Sequence, residues 1–200
     1  MGKSTTAQLL AREDGYVYYE GDCFTHLKNP YIPLDAPTLA QLNQKNLRGP
    51  GMQERQALHA MATDLVSAVL TGKEHDREVE NKVYSAMAED IKREKQRIGG
   101  DWAVAGMVTN REARDNLRMI LGPQLVFILL TMPSEDRGKR ILSRHGNSES
   151  AVEIMDRFEA ACVPGQEGEP RTINLSVIAA MSEEEVVEEV RKLVGDMEKN

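Results

Sequence analysis

The sequence predicts an α/β fold built on a mostly parallel sheet, and three observations predict it. Short apolar runs alternate along the chain with segments whose apolar residues recur at helical spacing. The run from Leu125 to Leu130 is apolar at every position, which is typical of a strand covered on both faces. Finally, Gly-Lys-Ser-Thr at residues 2–5 opens a helical pattern and matches the second half of a phosphate-binding loop.

The predicted elements follow one another in the order that a doubly wound sheet with helices on both faces requires. Strands are predicted where aliphatic, β-branched or aromatic residues cluster between turn residues, over 16–19, 102–109, 124–131 and 171–177. Helices are predicted over 5–13, 38–47, 53–70, 75–98, 111–121, 134–143, 148–162 and 182–196. Ser182 and Glu185 have the spacing of a capping box at the start of the last helix. We therefore expect one domain over residues 1–200, with ligands at the carboxyl ends of its strands.

The composition of the chain limits the classes of molecule that we expect it to bind. The net charge of −7 argues against general nucleic-acid binding, which needs a basic face. Two cysteines, Cys23 and Cys162, are too few for a disulfide framework or a zinc cluster. The chain contains no apolar run near the roughly 20 residues that a membrane span needs. We expect a cytoplasmic protein with a small-molecule substrate and without nucleic-acid or membrane partners, and a homodimer remains an open alternative to a monomer.

Residues 2–5 predict a nucleotide site. In a complete phosphate-binding loop, backbone N–H groups surround the phosphates, the lysine reaches the β- and γ-phosphates, and the hydroxyl holds Mg²⁺. Gly2, Lys3, Ser4 and Thr5 would thus bind ATP, with Ser4 as the metal ligand. An ordinary exposed helix start is the alternative. Since the loop's first glycine and its strand would precede Gly2, we expect an incomplete product of a longer chain, with roughly a dozen or more residues upstream.

Several segments, taken in order, resemble the gluconate kinase group of P-loop kinases. They are Gly2-Lys3-Ser4-Thr5, Glu20-Gly21-Asp22 with His26 behind it, Arg114-Asp115-Asn116-Leu117-Arg118, and Glu169 to Leu175 before the last helix. The resemblance implies a three-layer P-loop NTPase fold with a helical lid at 133–147, interrupted by a charged helical insertion at 75–100. It also implies transfer of the ATP γ-phosphate to a hydroxyl of a small polar metabolite, with gluconate as the leading acceptor.

The same resemblance suggests roles for individual residues. Asp22, after the second strand of the complete fold, would orient the acceptor hydroxyl or take its proton. His26, Arg55 and Arg114 would bind the substrate, since an arginine fork suits a carboxylate. The alternatives are a turn role for Asp22, a loop position for His26 and a solvated helix face for Arg55.

The implied lid carries the basic cluster of Arg137, Lys139, Arg140 and Arg144. Arg140 and Arg144 lie four residues apart on one helical face and would close over the transferring phosphoryl group, as this chemistry requires. A solvated basic face is the alternative.

Asn110 stands where the gluconate kinase group usually carries a lysine. This departure and the long charged segment 75–98 keep open a first alternative, a nucleoside or nucleotide kinase. The missing strand before Gly2 supports a second alternative, a catalytically inactive, truncated kinase fold that acts as a binding protein.

Overall fold

The computed structural model describes residues 2–21, 52–73, 76–106, 110–144, 152–153, 156–157, 160–178 and 180–199. In chain order the elements are α1 (Lys3–Asp14), β1 (Val17–Glu20), α2 (Met52–Leu70), α3 (Arg77–Ile98), β2 (Trp102–Ala105), α4 (Arg111–Leu121), β3 (Phe127–Thr131), α5 (Ser134–Arg144), β4 (Thr172–Ser176) and α6 (Glu183–Glu198). The predicted alternation of strands and helices is therefore present. The helix predicted over 38–47 lies outside the described residues, and of the one predicted over 148–162 the described positions 152–153, 156–157 and 160–161 are helical.

The strands pair in parallel, as predicted. β1 pairs with β2 in a register that places Val17 opposite Trp102, and β3 pairs with β4 with Phe127 opposite Thr172. The described strands form two separate two-stranded sheets rather than the single sheet that we expected. The difference arises because β2 and β3, which would join the two pairs, are not hydrogen-bonded to each other.

Helices cover both faces of the β1–β2 pair. Tyr18 packs in one buried cluster with Ala7 of α1, whereas its neighbour Tyr19 packs in another with Met87 and Ile91 of α3. Successive side chains of a strand point to opposite faces, so these two tyrosines mark the two sides of the pair. The aromatic residues from which this strand was predicted are therefore explained by the packing of helices on both of its faces.

The β3–β4 pair rests on α6. Leu175 of β4, Met132 and Val177 form a third buried cluster with Val186 and Val190 of α6. Burying apolar side chains is worth about 25 cal/mol per Å² removed from water. This cluster therefore stabilises the packing of α6 against the β3–β4 pair.

Local capping signals determine where several helices begin. The Ser182 hydroxyl accepts the N–H of Glu185 at 3.1 Å, and the Glu185 carboxylate accepts the N–H of Ser182 at 2.7 Å. This is the predicted capping box. Asp76 caps α3 in a similar way by accepting the N–H of Glu78 at 2.8 Å. Helices α3 and α6 therefore begin within two residues of their predicted starts. The prediction is this close because a cap forms between residues that are neighbours in the chain.

In the described part of the chain, no helix is both long and apolar enough to cross a membrane.

Candidate nucleotide and substrate site

The amino-terminal half-motif forms the start of a helix. Gly2 takes a left-handed conformation with φ of 84°, and its carbonyl accepts the N–H of Thr6 at 2.8 Å. Helix α1 begins at Lys3, so the N–H groups of its first turn have no carbonyl partner inside the helix. The helix dipole adds roughly half a positive charge at this end. The start of α1 therefore has the chemistry of an anion site.

Gly2 is loosely packed against the described part of the fold. Apart from its neighbours in the chain, no described residue has an atom within 4 Å of the position that a Cβ on Gly2 would occupy. A small cleft beside it connects the start of α1 with the segment that follows β4, and it is lined by Gly2, Thr5, Thr6, Val177, Ser182, Glu183 and Val186. The half-motif thus lies next to the carboxyl end of a parallel strand, where ligands bind in α/β folds.

The end of β1 requires a glycine. A Cβ on Gly21 would stand 3.0 Å from the carbonyl oxygen of Ala105 and 3.1 Å from Sδ of Met87. Before it, Glu20 is buried and accepts a hydrogen bond from the Tyr18 hydroxyl at 2.6 Å. The chain therefore leaves β1 tightly packed against the end of β2.

Five of the predicted site residues have no described side chain. Asp22 and His26 lie outside the described residues. Arg55, in α2, and Arg140 and Arg144, in α5, lie on helices whose backbone is described at these positions without their side chains. Their assignments stay predictions.

Arg114 has partners within the protein. Its guanidinium is fully buried and donates to both carboxylate oxygens of Glu169, at 2.6 and 2.9 Å. It also donates to the carbonyls of Val163 at 3.0 Å and Pro164 at 3.4 Å. This arrangement ties α4 to residues 163–169. The substrate role predicted for Arg114 stays a prediction, and it requires these bonds to open.

Arg118 also contacts Glu169. This agrees with the prediction that Arg114 and Arg118, four residues apart, lie on the same face of α4. It donates to Glu169 at 3.4 Å and to Thr172, and its guanidinium lies 4.7 Å from the ring centre of Phe127. Burial would raise the pKa of the Glu169 carboxyl, but bonds from Arg114, Thr172 and the Gln166 N–H outweigh it and lower that pKa to about 2. Glu169 is therefore ionised at neutral pH.

Asn110 has a structural role where the resemblance expects a lysine. Its side-chain oxygen caps α4 by accepting the N–H of Ala113 at 2.8 Å, and its amide donates to buried Glu80 at 2.8 Å. A second bond, from Asn81 to Glu112 at 2.9 Å, also links α3 to α4. The densely charged 75–100 segment thus packs against the fold.

Part of the predicted basic cluster also has protein partners. Arg137 is buried and donates to Asp156 at 2.7 Å and to the Met132 carbonyl at 3.3 Å. Lys139, which is exposed, pairs with Glu135 at 2.7 Å. Arg140 and Arg144 therefore remain the candidates for phosphate contact.

Sequence reasoning missed Glu80 and gave Glu169 no role beyond its place in a motif. Both carboxylates are buried and contact residues of α4 or its cap. The sequence around Glu80 or Glu169 does not indicate these contacts, because the partner of each carboxylate lies 30 or more residues away in the chain. Among the described residues, no group of three or more His, Cys, Asp or Glu side chains could hold a metal ion.

Comparison with solved structures shows what this architecture is similar to. The chain superposes on the crystal structure of a gluconokinase from Sinorhizobium meliloti 1021 with a TM-score of 0.59 and 21% sequence identity. The match covers 98% of this chain and 86% of the gluconokinase chain. The chain has a gluconokinase-like fold.

The gluconokinase-like fold confirms the fold-level part of the resemblance. No known protein family matches the chain by sequence pattern, and no curated protein matches it. The three-layer arrangement and the lid stay predictions.

Proposed function

We propose that this protein transfers the γ-phosphate of ATP to a hydroxyl of a small polar metabolite, with a gluconate-like sugar acid as the favoured acceptor. One observation carries the proposal. In a gluconokinase-like fold, the Gly-Lys-Ser-Thr half-motif forms the first turn of a helix beside the carboxyl end of a parallel strand. Phosphate binding at such a helix start is common to P-loop proteins.

The residues at the start of α1 fit a nucleoside triphosphate. The N–H groups of the first turn of α1 have no carbonyl partner inside the helix and can donate to phosphate oxygens. The Lys3 ammonium would neutralise charge on the β- and γ-phosphates, and the Ser4 hydroxyl would hold Mg²⁺. Mg²⁺ supplies further charge neutralisation when it is bound. Thr5, which lines the cleft, would be a further donor.

The acceptor would enter from the end of β1. Asp22 directly follows Gly21, which lies at the end of β1, where an added Cβ would stand 3.0 Å from the Ala105 carbonyl oxygen. We assign Asp22 to orient the acceptor hydroxyl and take its proton, with Arg55, His26 and, once released from Glu169, Arg114 binding the acceptor. Arg140 and Arg144 of α5 would neutralise the transferring phosphoryl group.

Coupled detection of ADP release tests this proposal against a panel of sugar acids, nucleosides and nucleotides. We expect turnover of a sugar acid that depends on Mg²⁺ and falls at least 100-fold in Lys3→Met, because charge neutralisation dominates phosphoryl transfer. Lys73→Met is the matched control, since Lys73 is exposed in the turn after α2. ATP consumption unchanged in Lys3→Met would contradict the proposal.

A nucleoside or nucleotide acceptor is the second candidate, and Asn110 favours it. Its amide and oxygen are engaged with Glu80 and Ala113, so the position offers no cation to a sugar acid. Turnover only on nucleosides or nucleotides would establish this alternative. ATP binding without turnover of any acceptor would instead support a binding protein.

A further inference from the structure

Helix α3 contacts the end of β1 at two successive points. The Tyr19 hydroxyl donates to Oδ2 of Asp90 at 3.0 Å. Two residues further along the chain, a Cβ on Gly21 would stand 3.1 Å from Sδ of Met87. Met87 and Asp90 are three residues apart and therefore share one face of α3. This face of α3 thus lies against the last residues of β1.

The bond between Tyr19 and Asp90 is buried. Tyr19 is fully buried, and Asp90 is 4% exposed. The other carboxylate oxygen of Asp90, Oδ1, accepts a hydrogen bond from Arg93, one turn later in α3. Hydrogen bonds to a charged group are stronger than bonds between neutral groups. The bond therefore holds the Tyr19 side chain, and with it the end of β1, in one place.

Apolar contacts surround the rest of the Tyr19 side chain. Its ring centre lies 6.1 Å from that of Trp102 in β2, and it belongs to one buried cluster with Met87, Ile91 and Leu117. A phenylalanine at position 19 would keep these contacts and lose only the hydroxyl. The contribution of the hydrogen bond can therefore be measured separately from that of packing.

Helix α3 is also attached to α4. The Asn110 amide donates to Glu80 at 2.8 Å, and the Asn81 amide donates to Glu112 at 2.9 Å. Asp90 lies roughly 15 Å further along the helix than Glu80, at about 1.5 Å per residue. Helix α3 therefore connects the end of β1 with the start of α4.

We propose that Tyr19 and Asp90 are positioning residues for the acceptor half of the site. Their bond fixes the end of β1 and thereby the carboxylate of Asp22, which directly follows Gly21 in the chain. This inference rests on the proposed function, in which Asp22 orients the acceptor hydroxyl and takes its proton. Misplacing a reacting group by about 1 Å can cost on the order of 100-fold in rate. Tyr19 and Asp90 act through Asp22 and do not contact the acceptor.

The two faces of β1 separate this role from nucleotide binding. Tyr18 packs with Ala7 of α1, the helix whose start we assign to ATP, whereas Tyr19 packs against α3. Loss of the bond between Tyr19 and Asp90 should therefore disturb the acceptor half of the site and leave the nucleotide half intact. Turnover and ATP affinity should respond differently.

The variant Tyr19→Phe tests this difference on the whole chain. We expect kcat to fall at least about tenfold with the acceptor that the wild type uses, because the general base is misplaced. The Kd for ATP, measured by calorimetry, should change less than about twofold, because α1 lies on the other face of β1. Tyr16→Phe is the matched control: it removes the same atom from a partly buried tyrosine at the opposite end of β1. It should change neither value, and circular dichroism verifies that both variants are folded.

Variants of Asp90 distinguish positioning from a general structural role. Asp90→Asn keeps an oxygen that can accept the Tyr19 hydroxyl, so we expect kcat within about threefold of the wild type. Asp90→Ala removes the acceptor and should lower kcat as much as Tyr19→Phe does. The double variant should show no further fall, since residues that act through one bond are not additive.

Amide exchange, measured by NMR without nucleotide or acceptor, tests the position of β1 independently of activity. Exchange at Tyr19 and Gly21 should be at least about fivefold faster in Tyr19→Phe than in Tyr16→Phe, because the end of β1 opens more easily. A wild type without turnover would contradict the proposed function alone, and the exchange rates would then decide whether the bond fixes β1. Three results would overturn the inference: equal exchange in the two tyrosine variants, equal kcat in them, or a loss of ATP affinity in Tyr19→Phe that matches its loss of kcat.

Discussion

Nε and Nη2 of Arg114 donate to the two carboxylate oxygens of Glu169, at 2.6 and 2.9 Å, with both side chains fully buried. Such fork-to-fork geometry is the strongest form of ion pair in proteins. It connects α4 to the segment before β4, 55 residues away. Folding stability and the arrangement of the carboxyl-terminal third therefore both depend on this pair.

Removing one partner of this pair should destabilise the protein strongly. We expect Arg114→Ala to lower the free energy of unfolding by about 3–5 kcal/mol, because Glu169 is left buried without its main donor. Urea denaturation measures the change. Arg111→Ala is the control: its pair with Asp115, 3.5 Å apart, is solvent-exposed and worth about 0–1 kcal/mol. Equal effects of the two variants would show that the buried pair adds no special stability.

Acid should weaken the fold through Glu169. Its pKa is lowered from 4.5 to about 2 in the folded protein, so its contribution is complete above the unfolded value and is lost as pH falls from about 5 toward 2. The shift corresponds to about 3 kcal/mol. Urea denaturation between pH 6 and pH 3 should show the larger part of this loss, about 2 kcal/mol, in the wild type. In Glu169→Gln the dependence should be flatter, and parallel curves would refute the assignment.

A side chain at Gly21 should disturb the end of β1. We expect Gly21→Ala to lower the free energy of unfolding by about 1–3 kcal/mol, because its Cβ would stand 3.0 Å from the Ala105 carbonyl oxygen. Gly195→Ala in α6 is the matched control, because outside the backbone of α6 itself no described residue has an atom within 4 Å of the added Cβ. That variant should gain about 0.5–1 kcal/mol through helix propensity. Thermal unfolding of both variants compares them directly, and a neutral Gly21→Ala would disprove the close packing.

The Asn110 cap offers a further test. Asn110→Asp keeps the oxygen that accepts the Ala113 N–H but replaces the donor to Glu80 with a carboxylate oxygen. We expect a loss of about 1–3 kcal/mol at neutral pH, because a buried acceptor loses its donor. Chemical denaturation measures the change, and Asn116→Asp on the same helix serves as the control. Similar stability of the two variants would argue against the Asn110–Glu80 contact.

Under the proposed function, Asp22→Asn should abolish most turnover. Loss of a general base typically costs 100-fold to 10,000-fold, so we expect at least about a 100-fold fall in kcat/KM. Asp64→Asn, at an exposed position of α2, is the control for loss of one carboxylate. A normal kcat/KM in Asp22→Asn would remove Asp22 from the mechanism.

Local signals in the sequence predicted most elements well. The helix predicted over 111–121 has those bounds, and the capping box at Ser182 is formed as expected. Strand ends were less exact: β3 begins at Phe127 rather than at 124, since pairing with β4 starts there. Caps and apolar periodicity act between residues close in sequence, whereas strand ends depend on the partner strand.

By itself, the sequence determined the alternation of strands and helices, a helix near the amino terminus (predicted from Thr5 and observed from Lys3), and the shared face of Arg114 and Arg118. Only the tertiary structure decided which residue these arginines contact, namely the buried carboxylate of Glu169. It also decided that the four described strands form two pairs. The physical reason is that periodicity orients a side chain relative to its own element, while its partner comes from a distant segment brought close by folding.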